Sequence, residues 1–485
     1  MASRQTRQMH LNVFLMGAGH HEAAWRLPGS RPLEVTRASY YLELLRTAER
    51  GKLDSLFLAD SYALPPTIQY KVLQSLEPFT LLSALAMGTS RIGLIGTAST
   101  TYSHPYHVAR QFASLDHISE GRAAWNIVTS TNDATGYNFT GERLPEHGER
   151  YRRAEEFVEV VRRLWDSWED EAVLADRERG IYADPARIHP IHHRGESFAV
   201  RGPLNLPRPP QGQPVRVQAG ASEAGKAFAA RLAEVVFTAQ SSLADAQAFY
   251  TDVKSRLAQA GRTQDELKIL PGFCPIIGDT EAEAKEREQE LHRHIQLDYG
   301  VQRLSNLFQA DMSVYPLDEP VPVDWLAERA EVNGHRGRYA LYVDLARRER
   351  LTMRELILRT ASSRGHFAMA GTPAQIADEM ERWWRQGGAD GFNVMPPYLP
   401  DGLSDFVDKV VPELQSRGLF RSDYTGTTLR EHYGLARPLA GRAGASGVEG
   451  RGVAGAAGDA GVADDAQGAA VTVRSIGRGE GEPAR

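Results

Sequence analysis

Residues 91–130, RIGLIGTASTTYSHPYHVARQFASLDHISEGRAAWNIVTS, constrain the fold of this chain more than any other stretch. They read as one β–α–β unit. A strand at 91–97 ends in a polar loop, a helix follows over about 105–118, and a glycine turn leads into a strand at 122–128. Both strands are almost wholly apolar through their middles, the pattern of parallel strands covered on two faces. Both then end abruptly in Thr, Ser and Asn. Polar groups gathered at the carboxyl ends of parallel strands are where open α/β sheets and β/α barrels bind ligands.

The same alternation runs through most of the chain. Strand-like runs fall at 11–16, 55–59, 92–97, 123–128, 215–219, 235–238, 269–277 and 391–395. Between them lie segments at 38–51, 78–87, 150–168, 222–233, 243–260, 280–296 and 372–387 whose apolar residues recur at helical spacing. Eight strand–helix repeats are the count of an α/β (β/α)8 TIM barrel. A doubly wound open sheet is the main alternative. It would more naturally carry a glycine-rich phosphate loop after its first strand, and no GxGxxG occurs. The barrel is expected over 9–438, with insertions after strands four and seven. Residues 169–214 form a polar, His-, Arg- and Pro-rich excursion. Residues 297–370 have their own helical patterns and suit a lid or subunit-contact insertion. From 439 to 485 the chain is nearly all Gly, Ala, Arg, Asp, Glu and Val, a composition expected to be disordered.

The net charge of −6 argues against nucleic acid as a partner. No apolar run approaches the ~20 residues that span a bilayer. The short apolar run near the N-terminus suits a first core strand better than a signal peptide. The single cysteine, Cys274, excludes an intrachain disulfide framework and fits a reducing cytoplasm; its apolar neighbours suggest a buried structural thiol.

Several residues at the strand ends could carry chemistry. Asp60 closes strand two in LFLADS, where it could bind a ligand or simply cap a turn. Thr97, Ser99, Thr100 and Thr101 end strand three; Asn126, Thr129 and Ser130 end strand four. A buried Asn126 amide needs partners, from a ligand or from the next strand. His147 and Tyr151 share one face at the start of a long helix, where backbone N–H groups favour an anion; a capped amphipathic helix is the plainer reading. Ser222, opening the helix of QAGASEAGKAF, can bond a phosphate oxygen or act only as the cap. His20 and His21 follow strand one without a spaced HxH or HExxH pattern, so no metal is expected. Met87 and the pair Trp383–Trp384 suit core or interface packing.

Taken together, GHHEAAWR, LFLADS, the 91–130 block, HGERYRRAEEF, VQAGASEAGK and HFAMAGTPAQIAD resemble the flavin-dependent monooxygenases of the bacterial-luciferase superfamily. The branch is that of nitrilotriacetate, dibenzothiophene-sulfone and long-chain-alkane monooxygenases, and the resemblance covers about residues 9–433. It implies a barrel that binds reduced FMN delivered by a separate NAD(P)H:FMN reductase. With O2 the flavin would form a C4a-(hydro)peroxide and oxidise a small organic substrate: an amine, a sulfur compound or an alkane-like molecule. By the same resemblance Asp60 and Thr97 contact the flavin with Asn126 nearby, and His147, Tyr151 and Ser222 hold its phosphate end. His20, His21 and His104 are implied on the substrate or oxygen side. A homodimer or homotetramer is also implied. A deazaflavin-dependent hydride transferase of the same superfamily and a non-catalytic flavin-binding protein are the alternatives; WNIVTS and AWR favour FMN.

Overall fold

A computed structural model describes residues 7–328 and 336–440. The expected disordered tail lies, from residue 441, outside the described residues. Eight parallel strands close on themselves: β1 His10–Leu15, β2 Ser55–Leu58, β3 Gly93–Ser99, β4 Ala123–Val128, β5 Val215–Gln218, β6 Val235–Thr238, β7 Lys268–Ile277 and β8 Gly391–Val394. Closure runs through β8, which pairs with β7 at Gly272↔Asn393 and with β1 from His10↔Gly391 to Val13↔Val394. Six residue pairs, Leu94↔Ala123 through Ser99↔Val128, join β3 to β4. Closing the sheet leaves these strands no free edge.

Alternation along each strand sorts its side chains. In β1 Leu11, Val13 and Leu15 face the helices, while Phe14 and then Met16 point into the barrel with Phe57, Ile95, Val217, Phe237 and Leu270. Around the strands lie α1 Ala38–Arg50, α2 Pro78–Ala86, α3 Pro105–Ile118, α4 His147–Trp165, α5 Glu223–Leu232, α6 Leu243–Leu257, α7 Glu281–Arg293 and α8 Pro373–Arg385. Each buries the stripe its sequence spacing marks, for example Tyr40, Tyr41, Leu44, Leu45 and Ala48 of α1. The C-terminal segment plugs the floor: Leu429, Tyr433 and Leu435 enter the inner core, and the Tyr433 hydroxyl donates to Asn12 Oδ1 at 2.7 Å.

Three details differ from the sequence reading. The 297–370 insertion is not purely helical toward its end. Its last residues begin a strand, Phe367–Gly371, that pairs with the outer half of β7 from Phe273↔Phe367 to Ile277↔Gly371. Two alanines and a glycine hide it, because they carry little strand propensity. A short helix, Asp133–Phe139, follows β4 in a stretch to which the sequence reading assigns no element. Met87 is 78% exposed rather than part of the core, whereas Trp383 is fully packed within it. The 169–214 excursion carries two small hairpins, and the helices of the later insertion form a core of their own around Leu304, Phe308, Met312 and Leu356. Cys274 is buried inside the barrel, and burial pushes its thiol up to about 12. No helix among the described residues is long and apolar enough to cross a membrane.

Candidate active site

The carboxyl ends of the strands surround a cavity of about 510 Å³. Such a volume suits a small ligand or cofactor. Its floor is aromatic. Phe14 and Phe57 stack at 4.6 Å, Phe237 meets both edge-on, and the His366 ring lies parallel to Phe237 at 5.0 Å. Much of its wall is polar, because β2 to β6 bring Asp60, Thr97, Asn126, Gln218 and Thr238 to it, whereas β1 and β8 bring Met16 and Met395.

Hydrogen bonding in the wall has a direction. The Thr97 hydroxyl donates to the Leu58 carbonyl at 2.8 Å, so toward Asn126 it accepts, from Nδ2 at 2.8 Å. That turns Asn126 Oδ1 outward from the pair, and the oxygen is buried with no partner among the described residues. Gln218 Oε1, on the next strand, is in the same condition. Buried acceptors of this kind cost about 1–3 kcal/mol each unless something donates to them. Two of them facing one cavity mark where a ligand with N–H or O–H groups belongs.

His20 is fully buried in this wall. Its Nε2 lies 2.8 Å from the Phe14 carbonyl, which can only accept, so Nε2 carries the proton and Nδ1 is a bare acceptor without a partner among the described residues. Burial, aided by Arg364, lowers its pKa to about 3, so the ring is neutral at physiological pH. His366 is held the same way, with burial the main cause and its Nδ1 also unpartnered. Asp60 behaves oppositely: burial raises its carboxyl to about 6, although the Ser61 N–H donates to it at 2.8 Å.

At the β4–β5 side two helices begin. α4 opens at His147, whose ring lies 4.9 Å from that of Tyr151. α5 is capped by Ser222, whose Oγ accepts from the Gly225 N–H at 3.1 Å. The Tyr151 phenol lies near Ser222, and burial raises its pKa. Gly220 lies between them. A Cβ there would sit 2.2 Å from Gln218 Nε2 and 2.8 Å from the Tyr151 hydroxyl, so only glycine leaves the cradle open. Neighbouring helix N-termini with exposed N–H groups make an anion site.

His20, Asp60, Thr97, Asn126 and Tyr151 thus line the cavity directly. His147 and Ser222 do not line the cavity; each neighbours Tyr151, which does. His21 lines a narrow recess beside it; its Nδ1 accepts from the Ala23 N–H, and burial lowers its pKa to about 3. His104 stands apart from these residues. It is an exposed N-cap of α3, with Nδ1 accepting from the Tyr106 N–H at 3.2 Å, and its ring faces His107 and Phe198 outside the cavity. The sequence reading missed Gln218, Arg338, Arg364 and His366, which also line the cavity. The last three come from the later insertion. Recognising the strand at Phe367 would have exposed Arg364 and His366 as residues leading into a strand beside β7.

Comparison with known proteins agrees with this geometry. The family model described as luciferase-like monooxygenase matches residues 13–391. The chain belongs to that family. It is 52% identical over 434 residues to N-acetyl-S-(2-succino)cysteine monooxygenase of Bacillus subtilis (strain 168), covering 89% of this chain and 98% of that one. It is 50% identical over 445 residues to nitrilotriacetate monooxygenase component A of Aminobacter aminovorans, covering 89% and 97%. Among solved structures, a riboflavin lyase with modified FMN and riboflavin superposes with a TM-score of 0.79 at 29% identity, covering 89% of this chain and 97% of that one. This luciferase-like protein is an oxidoreductase of the flavin-dependent monooxygenase class.

Proposed function

We propose that the chain is the oxygenase half of a two-component system. It takes reduced FMN from a separate NAD(P)H:FMN reductase and uses O2 to oxidise a small organic substrate, an amine, a sulfur compound or an alkane-like molecule. The observation that carries this reading is the paired makeup of the cavity: unpartnered acceptors on Asn126 and Gln218, and an anion cradle at Tyr151, Gly220 and Ser222. An isoalloxazine offers the N–H donor that such acceptors need, and a ribityl phosphate is the anion that helix N-termini favour. The relatives point the same way. One is named as a component A, and the riboflavin lyase structure holds a modified FMN.

Bound reduced flavin would supply the electrons and the site of O2 activation, the difficult part of the chemistry. This chain's residues do the rest. Asp60, Thr97 and Asn126 orient the ring; His147, Tyr151 and Ser222 hold the phosphate. The aromatic floor of Phe14, Phe57 and Phe237 excludes water. His20 is neutral, so its Nδ1 accepts a hydrogen bond rather than delivering a proton. The 297–370 insertion adds Arg338, Arg364 and His366 to the wall and shields one side.

The test is oxygen uptake with FMN, NADH and an added flavin reductase, alongside anaerobic binding of reduced FMN. Tight association with reduced FMN and substrate-dependent product formation are expected. Absence of any flavin association contradicts the reading.

A further inference from the structure

The cavity has a second charged end, across the barrel from the cradle at Tyr151. β1 is four staves from β5 in either direction. On the β1–β7 side Arg338 and Arg364 line the cavity wall. A narrow recess continues from it, sharing Met16, Gln74 and Arg364, and adds Lys71 and Glu22. Glu22 is already committed, lying 3.3 Å from Arg303. Lys71, Arg338 and Arg364 have no carboxylate within salt-bridge distance among the described residues. The Arg364 guanidinium rests instead on Met16 Sδ at 2.9 Å, a weak acceptor, and its buried Nε has no partner. Among the described residues, Asp60 at the end of β2 is the only acidic one lining the main cavity.

Partly buried cations normally acquire counter-charges, because an uncompensated charge away from water is costly. Here the crowding is severe enough that Arg364, with burial and with Arg303 and Arg338, lowers the Lys71 pKa to about 7 against the opposing pull of Glu22. Two guanidinium groups facing one cavity match planar acceptors that can bond in pairs. The backbone here argues against phosphate. The helix Met353–Ser363 ends at Arg364, a left-handed C-cap at φ 54°, so it presents carbonyls rather than N–H groups. The phosphate-type cradle stands at the other end.

We infer that the substrate carries at least two carboxylates, received by Arg338 and Arg364 with Lys71 adding positive charge from the recess. This rests on the flavin-oxygenase reading for the identity of the site and narrows its substrate to a di- or tricarboxylic acid bearing the oxidisable group. A neutral sulfone or alkane would leave these cations unanswered.

Titration calorimetry on the full chain, with and without oxidised FMN, tests this with tricarballylate, its trimethyl ester and inorganic phosphate. Saturable binding of the triacid is expected, with the ester and phosphate each weaker by about tenfold or more. Arg338→Gln combined with Arg364→Gln is expected to weaken the triacid about tenfold or more, and Lys71→Gln to weaken it less. No saturable triacid binding, equal binding of the ester or of phosphate, or an unaffected double variant overturns the inference. FMN fluorescence quenching on the same samples keeps the two readings apart. FMN bound without triacid preference defeats the carboxylate inference alone. Triacid selectivity without FMN binding defeats the flavin reading alone.

Discussion

The two mouths of the barrel are built on opposite principles. At the amino-terminal floor three buried carboxylates meet counter-charges. Glu234 receives both arms of Arg430 at 2.8 and 3.0 Å and also Arg216 at 3.2 Å. Asp390 meets Lys254 at 3.0 Å and Arg7 at 2.6 Å, and Asp54 pairs with Arg421. At the carboxyl rim the order reverses. Asn126 Oδ1, Gln218 Oε1, His20 Nδ1 and Arg364 Nε are buried without partners among the described residues, and Asp60 is pushed toward its neutral form. Ion pairs hold one end shut; the other gathers several unsatisfied groups around one cavity, although Asn12 Nδ2 and His432 Nδ1 near the floor also lack partners among the described residues. Conserving stability at the bottom and function at the top is a general division in such barrels.

The largest expected effect breaks the floor. Arg430→Ala leaves Glu234 buried with Arg216 alone, and chemical denaturation should show a loss of roughly 3–5 kcal/mol, the range for removing one partner of a buried pair. Flavin affinity of the folded fraction should not change. Acid probes the same group. Burial alone would raise the Glu234 carboxyl, but Arg216 and Arg430 bring it down to about 2 from 4.5. A depressed carboxyl stabilises the fold above the ordinary value and loses that contribution as pH falls through the folded one. Thermal midpoints of the parent should therefore drop as pH falls from about 4.5 toward 2, and those of Glu234→Gln should drop less.

Changes at the rim should invert the pattern, altering binding more than stability. Gly220→Ala crowds Gln218 and Tyr151 and should weaken FMN about tenfold in a fluorescence titration, with the unfolding midpoint nearly unmoved. Tyr151→Phe removes the hydroxyl beside Gly220 and should weaken FMN by a factor of several, the worth of about one hydrogen bond. Asp60→Asn gives the smallest stability effect. Because burial raises the Asp60 carboxyl from 3.8 to about 6, it costs stability progressively as pH rises between those two values, and the cost is full above about 6. The variant should be slightly more stable than the parent above about 6, and the gain should vanish below the ordinary value of 3.8. A rim variant that unfolds the protein, or a floor variant that abolishes flavin binding in folded molecules, would break the comparison.

Much of this division is legible in the sequence because parallel strands write themselves as apolar runs with polar ends. Asp60, Thr97 and Asn126 terminate such runs, and the fold carries all three to one cavity. Helix spacing likewise places His147 and Tyr151 on one face. What stays hidden depends on long-range packing. Arg338 and Arg364 reach the cavity only because the insertion folds back over β7, and no local pattern announces that. His104 misleads for the converse reason: a histidine before Pro105 is a helix cap by local chemistry, whatever its resemblance suggests. Floor pairs such as Glu234 with Arg430 join residues far apart in the chain, so their sequence neighbours give no hint of them.

Anaerobic titration of the protein with reduced FMN, compared between the parent chain and Gly220→Ala, tests the central claim most directly. Saturation at one flavin per chain is expected, with the variant weaker by about tenfold. No saturable binding, or equal affinity in the two proteins, contradicts it.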